Sequence, residues 1–336
     1  MQLDRELRRY LVDEAARAPS AHNAQPARWR LEADGAVTLF EDLDTRLIVG
    51  DPEGWDARLS LGTAFEGLAI AAAEADLGLS APRPVPAEGR EVAGRRNLAR
   101  IAEATLSKGA ATDPLAHWVP HRRTYRGRFR RAEAGEVARL RSAIDAAPDL
   151  TGIFDTQTIA EIGRLHDHCT WEFLRQPDYH AELHRWMRYS SKDPAWNRDG
   201  LSVDCLGISP IEQRFVRLLL SPRGFRWVKR LGLGPAVAAE RSQVRSATAL
   251  VLLHGDAEAN PLDHGRRLYR AWLELTAIGF LACPMSSVLE CAPGVEYLAA
   301  HHPPGTRVIK LLRVGPLKDG ERVAASRRLP TTDLLV

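Results

Sequence analysis

The sequence APSAHNAQP, residues 18–26, is the stretch that decides how the rest of the chain is interpreted. It follows a segment with apolar residues at helical spacing, residues 3–17, and it precedes a short apolar strand pattern. Turn chemistry accounts for the proline, the serine and the asparagine. It does not by itself require the closely spaced polar set Ser20, His22, Asn23 and Gln25. The stretch is therefore either a turn between a helix and a strand or a binding loop.

Periodicity along the chain predicts helices mixed with strands in both halves. The predicted helices cover residues 3–17, 57–77, 96–107, 133–146, 158–174 and 262–279, and the predicted strands cover residues 29–31, 37–40, 150–155, 247–254 and 307–314. A mixture of this kind in each half predicts an α+β or an α/β fold.

Composition restricts the class of protein. The 336 residues carry a net charge of only +3, spread along the chain, which argues against a nucleic-acid-binding protein. The four cysteines include no CxxC pair, and no spacing matches a zinc site, so we expect no metal. The N-terminus is charged throughout, and no apolar run is long enough to span a membrane. We therefore expect a cytoplasmic protein with neither a nucleic-acid nor a membrane partner.

Two long apolar helical segments share a design. Residues 61–79 and 264–282 each contain a glycine near the start, a long apolar run and a closing glycine, about half a chain apart. Apolar helices that end in glycine are common, so chance is one explanation for the pair. A repeat at this spacing suggests a duplicated unit.

Two arginine-rich stretches lie far apart in the sequence. HRRTYRGRF, residues 121–129, is either a solvated basic turn or a phosphate-binding segment, because guanidinium groups bind phosphate through paired hydrogen bonds. ASRRLP, residues 325–330, is either an exposed tail or a second arm around the same phosphate.

Two further segments have a structural and a functional interpretation. CPMSSVLE, residues 283–290, contains serines that are good N-caps for a helix near Val288, or backbone groups that face a flat ligand. Residues 199–210, DGLSVDCLGISP, form a long irregular piece within residues 179–235. A piece of this length is either a lid or disordered, and its Trp and Leu content favours a lid.

The order of these motifs resembles that of the FMN-binding nitroreductase family. A-x-x-A-P-S-x-x-N-x-Q-P, then R-x-T-x-R-x-x-F, then A-x-G-F-x-x-x-P, then S-R-R-L-P follow one another as in that family. The layout is most similar to the Acg-like subfamily, in which two nitroreductase-like halves share one chain. The resemblance implies an α+β, nitroreductase-like fold whose two related halves form an intrachain pseudo-dimer.

The resemblance also implies a cofactor site for FMN. In the family, equivalents of Arg122, Thr124 and Arg126 bind the phosphate, the ribityl chain and the pyrimidine edge. Arg126 becomes the candidate catalytic residue, because its charge would lie beside the flavin edge where reduction builds negative charge. The full predicted set of FMN-binding residues is Ser20, His22, Asn23, Gln25, Arg122, Arg123, Thr124, Arg126, Pro284, Met285, Ser286, Ser287, Ser326, Arg327 and Arg328.

The chain departs from the family pattern at two positions. Family members usually have Trp directly after the QP pair, whereas here Trp29 comes two residues later. Many members have Glu-Gly where this chain has Ser286 and Ser287, which removes an acidic group near the ring.

The two halves carry complementary parts of one site. The first half, residues 1–115, keeps the PSxxNxQP loop, and the second half, residues 116–336 with its lid at about 179–235, keeps the RxTxR segment. We therefore predict one composite FMN site per chain, in a monomer or a homodimer.

The resemblance implies an FMN-dependent oxidoreductase. Hydride would pass through flavin N5 to or from a small aromatic, quinone-like or metabolite substrate, with NAD(P)H as a possible donor. The alternative is a flavin-sequestering protein whose lid covers the cofactor and allows little turnover.

Overall fold

Two antiparallel sheets with the same strand order organise the chain. The computed structural model describes residues 2–85, 90–93 and 96–336; residues 1, 86–89 and 94–95 of the predicted first half lie outside the described residues. The elements of the first half are α1 (Arg5–Ala15), β1 (Ala27–Leu31), β2 (Ala36–Asp42), α2 (Trp55–Glu74), β3 (Leu77–Leu79), β4 (Arg83–Pro84), β5 (Arg90–Ala93) and β6 (Arg96–Lys108).

The second half is longer because several short helices are inserted into it. Its elements are α3 (Ala134–Asp145), β7 (Leu150–Ile153), α4 (Thr156–Leu174), α5 (Pro177–Trp186), β8 (Met187–Arg188), β9 (Leu201–Ser202), α6 (Pro210–Leu220), α7 (Pro222–Arg230), α8 (Gly234–Val237), α9 (Arg241–Val244), β10 (Ala249–Asp256), α10 (Pro261–Ala277), β11 (Leu281–Pro284), α11 (Ser287–Glu290), α12 (Ala292–Leu298), β12 (Thr306–Gly315) and α13 (Thr331–Leu334).

The strand orders of the two sheets correspond element by element. The first sheet runs β1-β2-β6-β3 and the second runs β7-β10-β12-β11, with every neighbouring pair antiparallel. A long helix follows the second strand in each half: α2 comes after β2, and α10 comes after β10. The predicted α+β fold with two related halves in one chain is confirmed.

The two long helices cross at a pair of glycines. A Cβ atom built on Gly62 would lie 2.1 Å from the carbonyl oxygen of Leu262, and one built on Gly265 would lie 2.1 Å from that of Leu59. The two contacts are reciprocal, as a twofold relation between the halves requires. The glycines therefore allow α2 and α10 to approach backbone to backbone at the centre of the molecule.

Both ends of the second half contact structural elements beyond their own sequence neighbours. Thr124 pairs with Ala282 in a parallel bridge and the Tyr125 N–H donates to the Ala282 carbonyl, so the chain at these two residues runs beside β11. The C-terminal residues pass onto the first half, where Leu335 pairs with Trp29 of β1 and the Val336 N–H donates to the Trp29 carbonyl. The boundary near residue 115 stays a prediction.

The predicted helix at residues 96–107 is wrong: this segment is the long strand β6. Leu98, Ala102, Ala104 and Leu106 are buried, which is the period of a strand, and the segment pairs with β2 along its length. The two alanines hid the alternation because alanine gives a weak strand signal and a strong helix signal. Among the described residues, no helix combines the length and apolar content that a bilayer crossing needs.

Candidate functional site

The loop at residues 18–26 has an unusual backbone. His22, Asn23 and Gln25 have positive φ angles of 47°, 55° and 52°, a region that non-glycine residues seldom occupy. The Gln25 N–H donates to the Ser20 hydroxyl at 3.0 Å, which closes the loop, and the Thr63 hydroxyl of α2 donates to the Pro19 carbonyl at 2.6 Å. Strained backbone of this kind concentrates at functional sites, where surrounding bonds hold it in place.

The two amide side chains of this loop join three segments. The Asn23 amide accepts from Arg328 at 2.7 Å and donates to the carbonyls of Arg327, at 3.0 Å, and Gly200, at 3.3 Å. Gln25 accepts from the Leu329 N–H and donates to the Arg198 carbonyl, both at 2.8 Å. The loop therefore holds the C-terminal tail and the segment near residue 200 against the first half.

Arg122 and Arg328 meet at one carbonyl oxygen. Both guanidinium groups donate to the Arg17 carbonyl, at 3.0 and 2.9 Å, although they lie 206 positions apart in the sequence. Arg122 also lies over the ring of Trp272, with 4.9 Å from its Cζ to the ring centroid. The two arginine stretches converge as the sequence analysis predicts.

Arg122 is buried and Arg328 is partly buried, and neither has a counter-ion among the described residues. The Nε and Nη1 atoms of Arg122, Nε of Arg328 and the Tyr269 hydroxyl have no hydrogen-bond partner there. Burial, and then the charge of Arg122, lowers the pKa of Arg328 to about 9, and burial also lowers the pKa of Arg122. Unpaired buried cations are costly, so the arrangement favours an anionic ligand with several acceptor oxygens.

The arginines line a narrow arm that opens into a larger chamber between the halves. The arm has a volume of about 40 Å³ and the chamber about 280 Å³, and both are lined by Pro19, Ser20, Thr124, Arg126 and Leu201. Asn23, Arg122, Ser326, Arg327 and Arg328 line only the arm. Together the two spaces reach the lower end of the range for small-molecule sites, about 300–1,000 Å³.

The chamber has an apolar wall and a charged end. Leu59, Leu268 and Trp272 supply apolar surface from α2 and α10. At the charged end, Lys310 donates to both carboxylate oxygens of Asp56, at 2.8 and 3.0 Å.

Glu290 and Tyr179 line the same chamber. Burial and the nearby charge of Asp56 raise the pKa of Glu290 to about 7, whereas Lys310 acts in the opposite direction. Burial and the charge of Glu290 raise the pKa of Tyr179 to about 12. Both side chains therefore hold a proton at or near neutral pH.

The predicted flavin loop at residues 284–287 is only partly at the chamber. Pro284, Ser286 and Ser287 line it, but Met285 is buried in an apolar cluster that includes Val288. Ser286, one of the two predicted serines, is the N-cap residue of α11, but its side chain makes no cap bond. The Ser287 hydroxyl lies 2.9 Å from the Thr170 hydroxyl.

Three other predicted residues point away from the arm or hold its wall. Arg123 donates to the carbonyls of Pro120 and Arg122, at 2.7 and 2.8 Å. Arg327 lines the arm but pairs with Asp204, at 2.7 Å, on the predicted lid. Gln25 lines neither the arm nor the chamber, and it acts through the segments that it joins.

Arg126 spans the two spaces. Its Nη1 donates to the Cys205 carbonyl at 3.4 Å, and its side chain lines both arm and chamber. His22, next to Ser20 in the chamber wall, has a buried Nδ1 without a partner among the described residues.

Sequence reasoning missed several residues that shape this site, among them Asp56, Tyr179, Leu268, Tyr269, Trp272, Glu290 and Lys310. Tyr269 and Trp272 lie three positions apart on α10, the spacing that places both on one helix face, and this was the available signal. The Asp56–Lys310 pair joins positions 254 apart and had no local signal.

His22 gives a pH-dependent stability. Burial lowers its pKa from 6.5 to about 4, so the unfolded chain binds more protons than the folded chain between those values. The stabilisation is complete above pH 6.5 and is lost as pH falls towards 4. Asparagine tolerates the positive φ at this position. Between pH 6.5 and pH 4, the free energy of unfolding of the His22→Asn variant should therefore fall by about 2 kcal/mol less than that of the wild type. Urea unfolding at both ends of the range measures this, and an equal loss in the two proteins would contradict it.

Comparison with known proteins assigns the chain to a family. No family model matches the chain. A Mycobacterium tuberculosis protein, Rv3131 of strain ATCC 25618 / H37Rv, is named as an NAD(P)H nitroreductase. It is 32% identical over 298 residues, which cover 86% of this chain and 78% of that protein. The chain belongs to the nitroreductase family. A second protein of that strain, the NAD(P)H nitroreductase acg, is 27% identical over 301 residues, covering 86% of this nitroreductase and 82% of acg.

Two solved nitroreductase structures are similar over shorter stretches. The FMN-bound nitroreductase of Bacteroides fragilis NCTC 9343 is 13% identical with a TM-score of 0.37, covering 64% of this nitroreductase and 94% of its own chain. FMN-dependent NfnB of Mycobacterium smegmatis, in complex with NADPH, is 13% identical with a TM-score of 0.34, covering 62% and 92%. The family assignment rests on the M. tuberculosis relatives.

Proposed function

We propose that this nitroreductase binds one FMN per chain in the arm and chamber, and that it uses the FMN to reduce a flat quinone-like or nitroaromatic acceptor. One observation supports this most directly: buried Arg122 and partly buried Arg328, which have no counter-ion among the described residues, converge on an arm that opens into a chamber between the halves. A phosphate in the arm would accept the unpaired guanidinium N–H groups and neutralise their charge.

The residues fit the rest of the cofactor in the same order. Thr124 and Arg126, where arm and chamber meet, would hold the polar chain and one edge of the ring, and Trp272 and Leu268 offer the ring an apolar surface. When bound, FMN supplies the hydride chemistry, and the protein supplies position and charge. A guanidinium beside the ring edge favours the reduced cofactor, so Arg126 is the proposed catalytic residue.

Glu290 is the proposed source of the proton. A quinone or nitro group that takes up hydride also takes up a proton, and a carboxyl with a pKa of about 7 is well matched to supply one at neutral pH. Glu290 thereby restores an acidic group to the chamber, three positions after the serine pair that stands where many family members have Glu-Gly. NAD(P)H is the proposed electron donor, as the names of the M. tuberculosis relatives indicate for those proteins.

A second candidate function, flavin sequestration, is favoured by the bonds that fasten the predicted lid. Asp204 pairs with Arg327, Gly200 bonds Asn23 in both directions, and Arg198 accepts from Gln25. These bonds hold residues 198–205 against the arm. A lid that stays fastened would retain FMN but keep substrates out.

Anaerobic reduction separates the two functions. If the chain acts as a reductase, we expect it, once reconstituted, to contain one FMN and to bleach promptly with NAD(P)H. If FMN is sequestered, the wild type should bleach slowly and Asp204→Asn, which loosens the lid, should bleach at least tenfold faster. Asp145→Asn, an exposed residue on α3, is the matched control. A chain that takes up no FMN would contradict both functions.

A further inference from the structure

Helices α6 and α7 expose a concentrated apolar surface. Ten large apolar side chains are exposed among the described residues, and six of them fall within residues 211–233. These six are Ile211, Phe215, Leu218, Trp227, Leu231 and Leu233, at 48–69% exposure. A soluble protein seldom leaves so many large apolar groups close together without a partner.

The exposed side chains form ordered faces, not scattered positions. Ile211, Phe215 and Leu218 follow the i, i+4, i+7 spacing of one helix face, and Trp227 and Leu231 are four apart. The opposite side of α7 is buried, with Phe225 and Val228 packed in a small apolar cluster. Folding of the two helices therefore places these apolar side chains on ordered, exposed faces that a partner can contact.

The same segment is strongly basic. Residues 210–233 contain Arg214, Arg217, Arg223, Arg226, Lys229 and Arg230 and a single acidic residue, Glu212. All six basic side chains are exposed, and none forms a salt bridge with a carboxylate among the described residues. Lys229 donates to the Arg175 carbonyl at 3.1 Å, and Arg230 lies over the Trp227 ring. Exposed apolar groups interleaved with unpaired cations are the pattern of a helix that lies in a membrane interface.

We propose that α6 and α7 form a docking surface for an anionic lipid membrane. The arginines would contact lipid phosphates, and the apolar faces would enter the boundary between headgroups and acyl chains. A second copy of the chain fits less well, because a twofold contact would bring two surfaces of equal positive charge together. A nucleic acid would match the charge but leave Ile211, Phe215 and Leu218 exposed.

This proposal does not depend on bound FMN, and it departs from the sequence-based expectation of no membrane partner. That expectation was based on the lack of a spanning segment, and surface docking needs none.

Co-sedimentation with vesicles tests the proposal on the full chain. We expect binding to phosphatidylcholine vesicles that contain phosphatidylglycerol, and at least tenfold weaker partition onto phosphatidylcholine alone. Phe215→Ser with Leu218→Ser, and separately Arg226→Glu with Arg230→Glu, should each weaken binding at least tenfold. Ile48→Ser and Arg131→Glu, exposed residues elsewhere, are the matched controls and should bind as the wild type does.

Three results would overturn the proposal. One is failure to bind the anionic vesicles; another is control variants that lose binding as much as the surface variants do. The third is a wild type that does not bind vesicles but forms a dimer, or a complex with an oligonucleotide, which the surface variants fail to form. Because all substituted side chains are exposed, thermal unfolding of each variant should match that of the wild type.

Discussion

Replacing Arg122 and Arg328 together with methionine should weaken FMN binding by at least about 100-fold. Hydrogen bonds to charged groups contribute about 1.5–3 kcal/mol each, and the double variant loses such bonds at both arginines. Methionine keeps much of the side-chain volume and removes the charge. Titration of the apoprotein with FMN, followed by quenching of flavin fluorescence, measures the affinity directly and does not rely on turnover.

The unliganded double variant should remain folded. Two neighbouring cations without a counter-ion, one of them buried, destabilise the apoprotein, so we expect the variant's midpoint of thermal unfolding to stay within a few degrees of the wild type or to rise. Inorganic phosphate should raise the midpoint of the wild type and leave that of the variant unchanged.

Arg123→Met is the matched control for this experiment. Arg123 lies between Arg122 and Thr124 in the sequence, but its guanidinium donates only to the carbonyls of Pro120 and Arg122. It should keep wild-type affinity. FMN binding of wild-type strength in the double variant would exclude the arm as the phosphate site.

Gly62→Ala should be strongly destabilising, although alanine is the better helix former. Its Cβ would lie 2.1 Å from the Leu262 carbonyl oxygen and 2.8 Å from the Gly265 Cα, whereas ordinary contacts begin near 3.4 Å. Backbone atoms cannot rotate away as side chains do, so α2 and α10 must separate. We expect a loss of about 3 kcal/mol in the free energy of unfolding, measured in urea.

Gly265→Ala should have a similar effect, because the contact is reciprocal. Gly135→Ala is the control: this glycine lies in the first turn of α3 with nothing within 4 Å of the added Cβ, and the change should be neutral or stabilising by up to about 1 kcal/mol. If Gly62→Ala unfolded at wild-type denaturant concentration, the close crossing would not be present in solution.

Sequence motifs predicted which residues lie together better than periodicity predicted the local secondary structure. Ser20, Asn23, Arg122 and Arg328 could be grouped in advance because their motifs occur in a family order, and the structure places all four around one arm. The strand at residues 96–108 could not be recognised, because its inward positions include two alanines that pack only once β2 lies beside them.

Long-range partners could not be predicted from local signals. The carbonyl that accepts from both Arg122 and Arg328 belongs to Arg17. Because this contact uses the backbone of Arg17, the identity of its side chain gives no signal for it. The charged end of the chamber depends on Asp56, Lys310 and Glu290, which come from three elements of the two halves. Only the folded topology brings them together.

The helix crossing at Gly62 and Gly265 joins the two halves within one chain, and this affects how ligand binding responds to dilution of the protein. A ligand site shared by two separate subunits is lost when the subunits dissociate, so its apparent affinity depends on how much protein is present. Here the two contributors are covalently continuous, and their contact is intramolecular. The fraction of sites that are occupied should therefore depend on the concentration of free ligand and not on that of the protein. Neither half needs to associate with a second copy of itself to complete the site.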